Sequence, residues 1–134
     1  MNYYLAKTEP STYSIDDLAK EKTTTWSGVR NPGAVKTLKE MKKGDKVLIY
    51  HSGSGTISGL ASVLGNGRPD LKDEKSWLVD FKFEKKFKEP FINLAVIKES
   101  GLFSDFALVR QGRLSTMLVP VKFVKWLKEK GIIK

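Results

Sequence analysis

The chain contains no cysteine and a single histidine, His51. Disulfides, thiolate zinc sites, iron–sulfur clusters and a cysteine nucleophile are thereby excluded. A metal site built on two histidines is excluded within one chain, and a serine–histidine–carboxylate triad has only His51 to draw on. No apolar run approaches the roughly 18–20 residues of a membrane span. The first residues, Met1-Asn2-Tyr3-Tyr4-Leu5-Ala6-Lys7, are too short in apolar content and charged too early for a signal peptide. The expectation is a cytoplasmic protein in a reducing compartment, with no metal, no cofactor and no membrane partner.

Arginine is also scarce. Of 24 basic residues 20 are lysine, and the four arginines are Arg30, Arg68, Arg110 and Arg113. With 15 acidic residues the net charge is +9 over 134 residues. Nucleic acid is the commonest partner of such a surface, although solubility alone accounts for many lysines. Arginine suits planar, bidentate recognition of phosphate, so its positions are the more telling. The length and the 40% hydrophobic content fit one domain, residues 1–134, with a core of its own, and favour a monomer.

Residues 2–8 read as a strand ended by Pro10. Ser14 and Asp17 resemble a capping pair before a helix that runs to about Lys20. Thr23 to Trp26 is a brief extended piece. Asn31-Pro32 is a helix start, with Asn at the cap and Pro in the first turn. Ala34, Val35, Leu38 and Met41 then form one apolar stripe, and Lys36, Lys39 and Lys43 share another face. Lys46 to Tyr50 is a strand apolar on both faces, Ile57 to Leu64 another, and Trp77 to Phe87 alternates as a half-buried strand does. Between the last two, residues 65–75 form the most loop-like and mobile stretch. Asn93 to Ser100 reads as a short helix, residues 110–113 as a polar turn, Leu114 to Val119 as a strand, and Pro120 to Lys130 as a helix ended by Gly131. Five or six strands are thus interleaved with three or four short helices. Strands do not alternate regularly with long helices, which argues against a doubly wound sheet. The expectation is an α+β fold: a small, curved mixed sheet or barrel with short helices packed around it.

Four short blocks carry the chemistry. Gly53-Ser54-Gly55-Thr56 is not among them, because it lacks the following Lys-Ser/Thr and joins two strands, so it is a hairpin turn. Lys7-Thr8-Glu9-Pro10 sets opposite charges two apart at a strand end, either as an exposed ion pair or as the frame of a polar site. Trp26-Ser27-Gly28-Val29-Arg30-Asn31 puts an aromatic, an arginine and a helix cap within six residues, so that Arg30 stands beside a helix N-terminus that attracts anions. Asn31 is either a cap alone or also a partner for a base edge. Tyr50-His51-Ser52 follows a buried strand. Arg110-Gln111-Gly112-Arg113-Leu114-Ser115 holds two of the four arginines in one turn, which points to an anion site. Together they supply stacking faces (Trp26, Tyr50), hydrogen-bonding groups (Asn31, Ser52, Gln111, Ser115) and phosphate contacts (Arg30, Arg110, Arg113).

These blocks, in this order and spacing, resemble the signature segments of the EVE domain family, and Ser76-Trp77-Leu78-Val79-Asp80 resembles the family's central strand. The resemblance spans nearly the whole chain. It implies a PUA-like fold, a small mixed β-barrel with helices around it, and kinship with modules that hold a modified nucleobase in an aromatic or polar pocket. Carried over by position, the pocket residues are Lys7, Glu9, Trp26, Val29, Arg30, Asn31, Tyr50, His51, Ser52, Gln111, Leu114 and Ser115. Phosphate contacts fall to Arg30, Lys36, Lys39, Lys43, Arg110 and Arg113. After Ser52 the chain departs from the pattern, with Gly53-Ser54-Gly55 where family members carry a Pro-Gly turn. The expected function is a non-catalytic module that binds DNA or RNA carrying a modified base. Two alternatives stand beside it. One is an enzyme acting on a base or nucleotide, with Glu9 and His51 as its acid–base pair. The other is a small-ligand or protein-interaction module whose lysines serve solubility.

Overall fold

Short-range signals set the elements of the fold. In the computed structural model, which describes all 134 residues, β1 spans Tyr3–Thr8 and α1 Ile15–Glu21. The Ser14 hydroxyl accepts from Asp17 N–H while the Asp17 carboxylate accepts from Ser14 N–H, a reciprocal capping box. β2 (Thr23–Trp26) leads to α2 (Pro32–Glu40), capped by Asn31, whose Oδ1 accepts from Gly33 N–H and Ala34 N–H. Next come β3 (Lys46–His51), β4 (Thr56–Val63), the two-residue β5 (Arg68–Pro69) and β6 (Trp77–Lys86). The chain closes with α3 (Leu94–Ser100), α4 (Ala107–Arg110), β7 (Thr116–Leu118) and α5 (Val121–Glu129).

The strands form one sheet in the order β2-β6-β4-β3-β1-β7, with β5 paired to β6. Only β1 and β3 run parallel. Alternation then sorts the side chains between two faces. Leu5, Leu48, Tyr50, Ile57 and Met117 join Phe106, Phe123 and Leu127 in one core, under α5. Tyr4, Ala6, Val47, Ile49, Val79 and Phe81 join Ile15, Leu18, Ala34 and Leu38 in the other, under α1 and α2. Covering both faces explains why β1 is apolar from Tyr3 to Ala6 and β3 from Val47 to Tyr50.

The α+β class expected from the sequence is the one found. Several details differ, and there are five helices rather than three or four. There are seven strands rather than five or six, because β5 is only two residues long and carries no apolar alternation. The sheet does not close into a barrel: the hydrogen-bonded path ends at β2 and β7. Helix α2 packs against both β7 and β6, so side-chain contacts span the gap that backbone pairing would close in a barrel. The 65–75 stretch is tied down rather than free. Arg68–Pro69 pairs with Trp77–Leu78, and the Arg68 guanidinium donates to both Asp80 oxygens at 3.1 and 3.3 Å. The last strand is shorter than Leu114 to Val119, and α4 occupies residues just before the expected polar turn.

Gly59 lies in β4 where α1 crosses the sheet. A Cβ there would stand 2.4 Å from Ile15 Cδ1 and 2.6 Å from the Lys85 carbonyl oxygen. The carbonyl is held in the β4–β6 ladder and cannot yield as a flexible side chain would. Gly59→Ala is therefore expected to lower stability by about 1–3 kcal/mol, read as a lower urea midpoint at unchanged slope. Gly65→Ala, where a Cβ meets nothing within 4 Å, should leave the midpoint in place.

Candidate functional site

The parallel pairing of β1 with β3 brings their carboxyl ends side by side, with Lys7 opposite Tyr50 and Thr8 opposite His51. Beyond the pairing the main chains stay in contact, as Ser52 N–H donates to Thr8 O at 3.0 Å. Ser52 Oγ lies 3.2 Å from Thr8 O and 3.1 Å from Glu9 Oε2, so its one proton is shared between strand and carboxylate. The first and third sequence blocks thus form one polar rim.

The fourth block joins them from the other side of β1. Lys7 N–H donates to Ser115 O at 2.8 Å, and the Lys7 ammonium donates to Gly112 O at 2.9 Å. That ammonium also stands 5.7 Å from the Tyr50 ring centre. Partial burial draws the Lys7 pKa below its ordinary value. Leu114 leans toward the start of α2: a Cβ on Gly33 would lie 3.5 Å from Leu114 Cδ1. Its side chain packs against both cores. The second block enters through α2 and through Trp26, which with Thr8, Tyr13 and Ser27 lines a hollow of about 280 Å³. The first, third and fourth blocks therefore meet at the ends of β1 and β3, and the second reaches them through Trp26 and Ser27, which share the hollow with Thr8.

Within this arrangement the roles divide. Trp26 is 8% exposed and packs on Phe81 at 5.2 Å and edge-on to Tyr13 at 6.1 Å. Tyr50 is 4% exposed and belongs to the opposite core. Neither presents an open ring, and Trp26 reaches the hollow only along its border. Val29 is buried beneath α2. The cap contacts occupy Asn31 Oδ1 and leave its amide N–H groups to face outward. Gln111 is exposed, while Ser115 and Leu114 are half-buried. Arg110 and Arg113 are exposed, and none of the four ion pairs engages them. Arg30 pairs with Asp73 at 3.0 Å. With Lys36 and Lys39 it lines a separate groove on the outside of α2. Lys43 is exposed beyond the end of that helix. Thr8 and Ser27 lie within the quoted blocks without a role assigned to them, and Tyr13 lies outside the blocks, because no spacing signal marks any of the three.

His51 has a defined local task. Its Nε2 accepts the Ile15 main-chain N–H at 3.0 Å, which holds one free amide at the start of α1. That nitrogen is therefore not free to take a proton from a substrate in this arrangement. Burial is the main cause holding the His51 pKa below its ordinary 6.5, and the nearby Lys86 charge pushes the same way, while Asp16 and Glu9 oppose it.

A two-faced sheet that ends in a polar rim beside a capped helix defines a small α+β domain. The chain belongs to the EVE domain family, which it matches over residues 2–130. Human thymocyte nuclear protein 1 is 31% identical over 151 aligned residues, covering 85% of this chain and 67% of that protein. The rat protein of the same name is 32% identical, and the match spans only 55% of its length. Among solved structures, a protein from Rhodopseudomonas palustris superposes with a TM-score of 0.89 at 32% identity, covering 100% of this chain and 96% of that one. Human thymocyte nuclear protein 1, crystallised in complex with DNA containing 5-methylcytosine, superposes with a TM-score of 0.86 at 24% identity, covering 100% of this chain and 99% of that one, and so shares the fold. No helix of this chain is long and apolar enough to cross a membrane.

The His51 contact predicts a pH effect. Because the folded-state pKa is depressed, the native state binds its proton less readily than the unfolded chain. Stability is full above the unfolded value of 6.5 and falls as pH drops from there through the folded pKa. His51→Gln retains an acceptor for Ile15 N–H but does not titrate. Its thermal midpoint should fall less than the wild type's between pH 7.5 and 5.5, with the two curves parallel above neutrality.

Proposed function

We propose that this chain acts as a single, non-catalytic domain that binds nucleic acid through a modified base held at the ends of β1 and β3. The observation that carries the reading is the convergence at one strand end of segments distant in sequence: Lys7 and Glu9, Ser52, and the turn from Gly112 to Ser115, to which we add Asn31 and Gln111 as neighbouring polar groups. A structural explanation of any one of them is easy; a shared rim built from strand ends, a turn and a helix start is better explained by a ligand. The crystal structure of human thymocyte nuclear protein 1 with 5-methylcytosine-containing DNA supports DNA as the polymer and a methylated base as the feature read.

Binding has a general and a specific component. Arg30, Lys36, Lys39, Lys43, Arg110 and Arg113 supply salt-sensitive attraction to phosphates regardless of sequence. The base leaves its stack at a cost of a few kcal/mol, least where it is already unpaired. Contact with an aromatic edge returns part of about 1–3 kcal/mol per base. With Trp26 and Tyr50 largely covered, the polar rim supplies the rest. In this reading Asn31 Nδ2 donates, Ser52 and Ser115 donate or accept, the Lys7 ammonium donates to a base carbonyl, and Leu114 supplies an apolar wall for a methyl group. The small apolar contact offered by Leu114 makes the margin for one methyl modest, on the order of 1 kcal/mol.

Fluorescence anisotropy tests this on matched single- and double-stranded DNA and RNA, plain or carrying methylated or hydroxymethylated cytosine or methylated adenine, at two salt concentrations. The expected result is a preference for one modified member that persists at the higher salt. Equal affinity for all members, vanishing with salt, would refute the reading. Lys7→Met keeps the apolar stem and removes the ammonium. It should reduce the preferred affinity by about tenfold, close to 1.4 kcal/mol, while the thermal midpoint stays near that of the wild type.

A further inference from the structure

Helix α2 turns its outer face toward the turn that follows β5. Between them lies a groove of about 590 Å³, lined by Arg30, Lys36, Lys39 and Lys75, with Glu74 the one acid in its lining. The Lys39 ammonium stands 4.9 Å above the Trp77 ring. That ring is fixed in place by Gly67, where a Cβ would stand 2.2 Å from Trp77 Nε1. The groove therefore presents a row of cations, one of which is seated over an aromatic ring beside it, a composition suited to following a nucleic-acid strand. It adjoins the polar rim, because Arg30 immediately precedes Asn31 at the start of α2.

One contact in this groove is unlike the others. The Arg30 guanidinium is 60% exposed, yet its Nε is held 3.0 Å from Asp73 Oδ2. Asp73 does not follow Arg30 about the surface. Its other oxygen, Oδ1, accepts Lys75 N–H at 3.1 Å, and its carbonyl accepts Ser76 N–H at 3.0 Å. The carboxylate is thus pinned by its own turn and presented to the arginine. Guanidinium groups bind carboxylate and phosphate in the same geometry, so Asp73 occupies the position that a phosphate oxygen would take.

We infer that this groove seats the sugar–phosphate backbone flanking the base held at the rim, and that Asp73 covers Arg30 until a phosphate displaces it. The inference rests on the reading of the rim given above and extends it. It assigns Lys75 and Trp77 to the interface and makes Asp73 a built-in competitor that weakens binding to every oligonucleotide. A strand held at the rim by its base gains the groove contacts at little further entropic cost, whereas a strand without that anchor must displace Asp73 unaided.

The test compares wild type with Asp73→Asn, Arg30→Ala and the double variant. Anisotropy is measured on a modified oligonucleotide and its plain counterpart over a series of salt concentrations. Asparagine keeps the Oδ1 acceptor for Lys75 N–H, so the turn is preserved while the charge is lost. Asp73→Asn should bind both oligonucleotides about two- to fivefold tighter, the range set by releasing one exposed ion pair. The slope of log affinity against log salt should steepen by up to about 0.9, one added phosphate contact. The gain should disappear when Arg30→Ala is also present. Unchanged or weaker binding by Asp73→Asn, a gain that survives Arg30→Ala, or no binding of any oligonucleotide by wild type and variant would overturn the inference. The two readings fail differently. If wild type shows no preference for the modified oligonucleotide but the Asp73→Asn gain is present, the groove stands and the base-reading rim does not.

Discussion

The pairing of β1 with β3 is the constraint on which the rest of the molecule depends. These are the only parallel neighbours in the sheet, and both are buried on two faces: Tyr4, Leu5 and Ala6 in one, Val47, Leu48, Ile49 and Tyr50 in the other. A slip of one residue would send Leu48 to the α1–α2 face and Val47 to the α5 face, and would exchange Leu5 with Tyr4. Neither core has room for that exchange, so the register is fixed. Because the strands are parallel, their polar continuations, Thr8-Glu9 and His51-Ser52, leave the core at the same end. In an antiparallel pair they would leave at opposite ends and the rim would not exist.

Closure of the sheet by a helix has a functional consequence. If β7 and β2 were hydrogen-bonded to each other, the barrel would be complete and its edge uniform. Instead α2 fills the gap, and its N-terminus is delivered next to the turn that ends in Leu114 and Ser115. Leu114 stands beside the helix start at Gly33, and Asn31 caps the helix with Oδ1 while directing its amide hydrogens outward. Under the proposed function, one element thus serves packing on its inner face, ligand contact at its first turn and phosphate attraction on its outer face.

The charge of the protein is spread over surfaces of different character. At the rim, charges are individually engaged: Lys7 by a main-chain carbonyl and Glu9 by the Ser52 hydroxyl. Groups so engaged are held in position and give directional contacts. In the α2 groove three lysines and an arginine outnumber the acids beside them, Glu74 in the lining and Asp73 on the arginine. Such cations raise affinity for a polyanion over a distance of about a Debye length and do so less as salt rises. Affinity from the groove and discrimination from the rim are therefore physically separable.

Much of the secondary structure was legible in the sequence, because its signals are local. Ser14 with Asp17, Asn31-Pro32 and Asn93 each mark a helix start by a hydrogen bond closed within three residues, and the alternation in Trp77 to Phe87 needs only the pleat of one strand. The order of four motif blocks also pointed to the family. Other features were set by contacts between segments far apart in the chain. The pairing of β5 depends on an arginine–aspartate contact across 12 residues, which no periodicity announces. The burial of Trp26 and Tyr50, read from composition as stacking faces, follows from which sheet face each occupies and what covers it. His51 serves α1 because parallel pairing places it under Ile15 N–H, 36 residues away in sequence. Cap chemistry, alternation and charge are properties of neighbouring residues, and the sequence alone determined them. Which rings remain open, which cations are free and which loops are tied depend on distances between segments that only packing of the two cores defines, and these the tertiary structure decided.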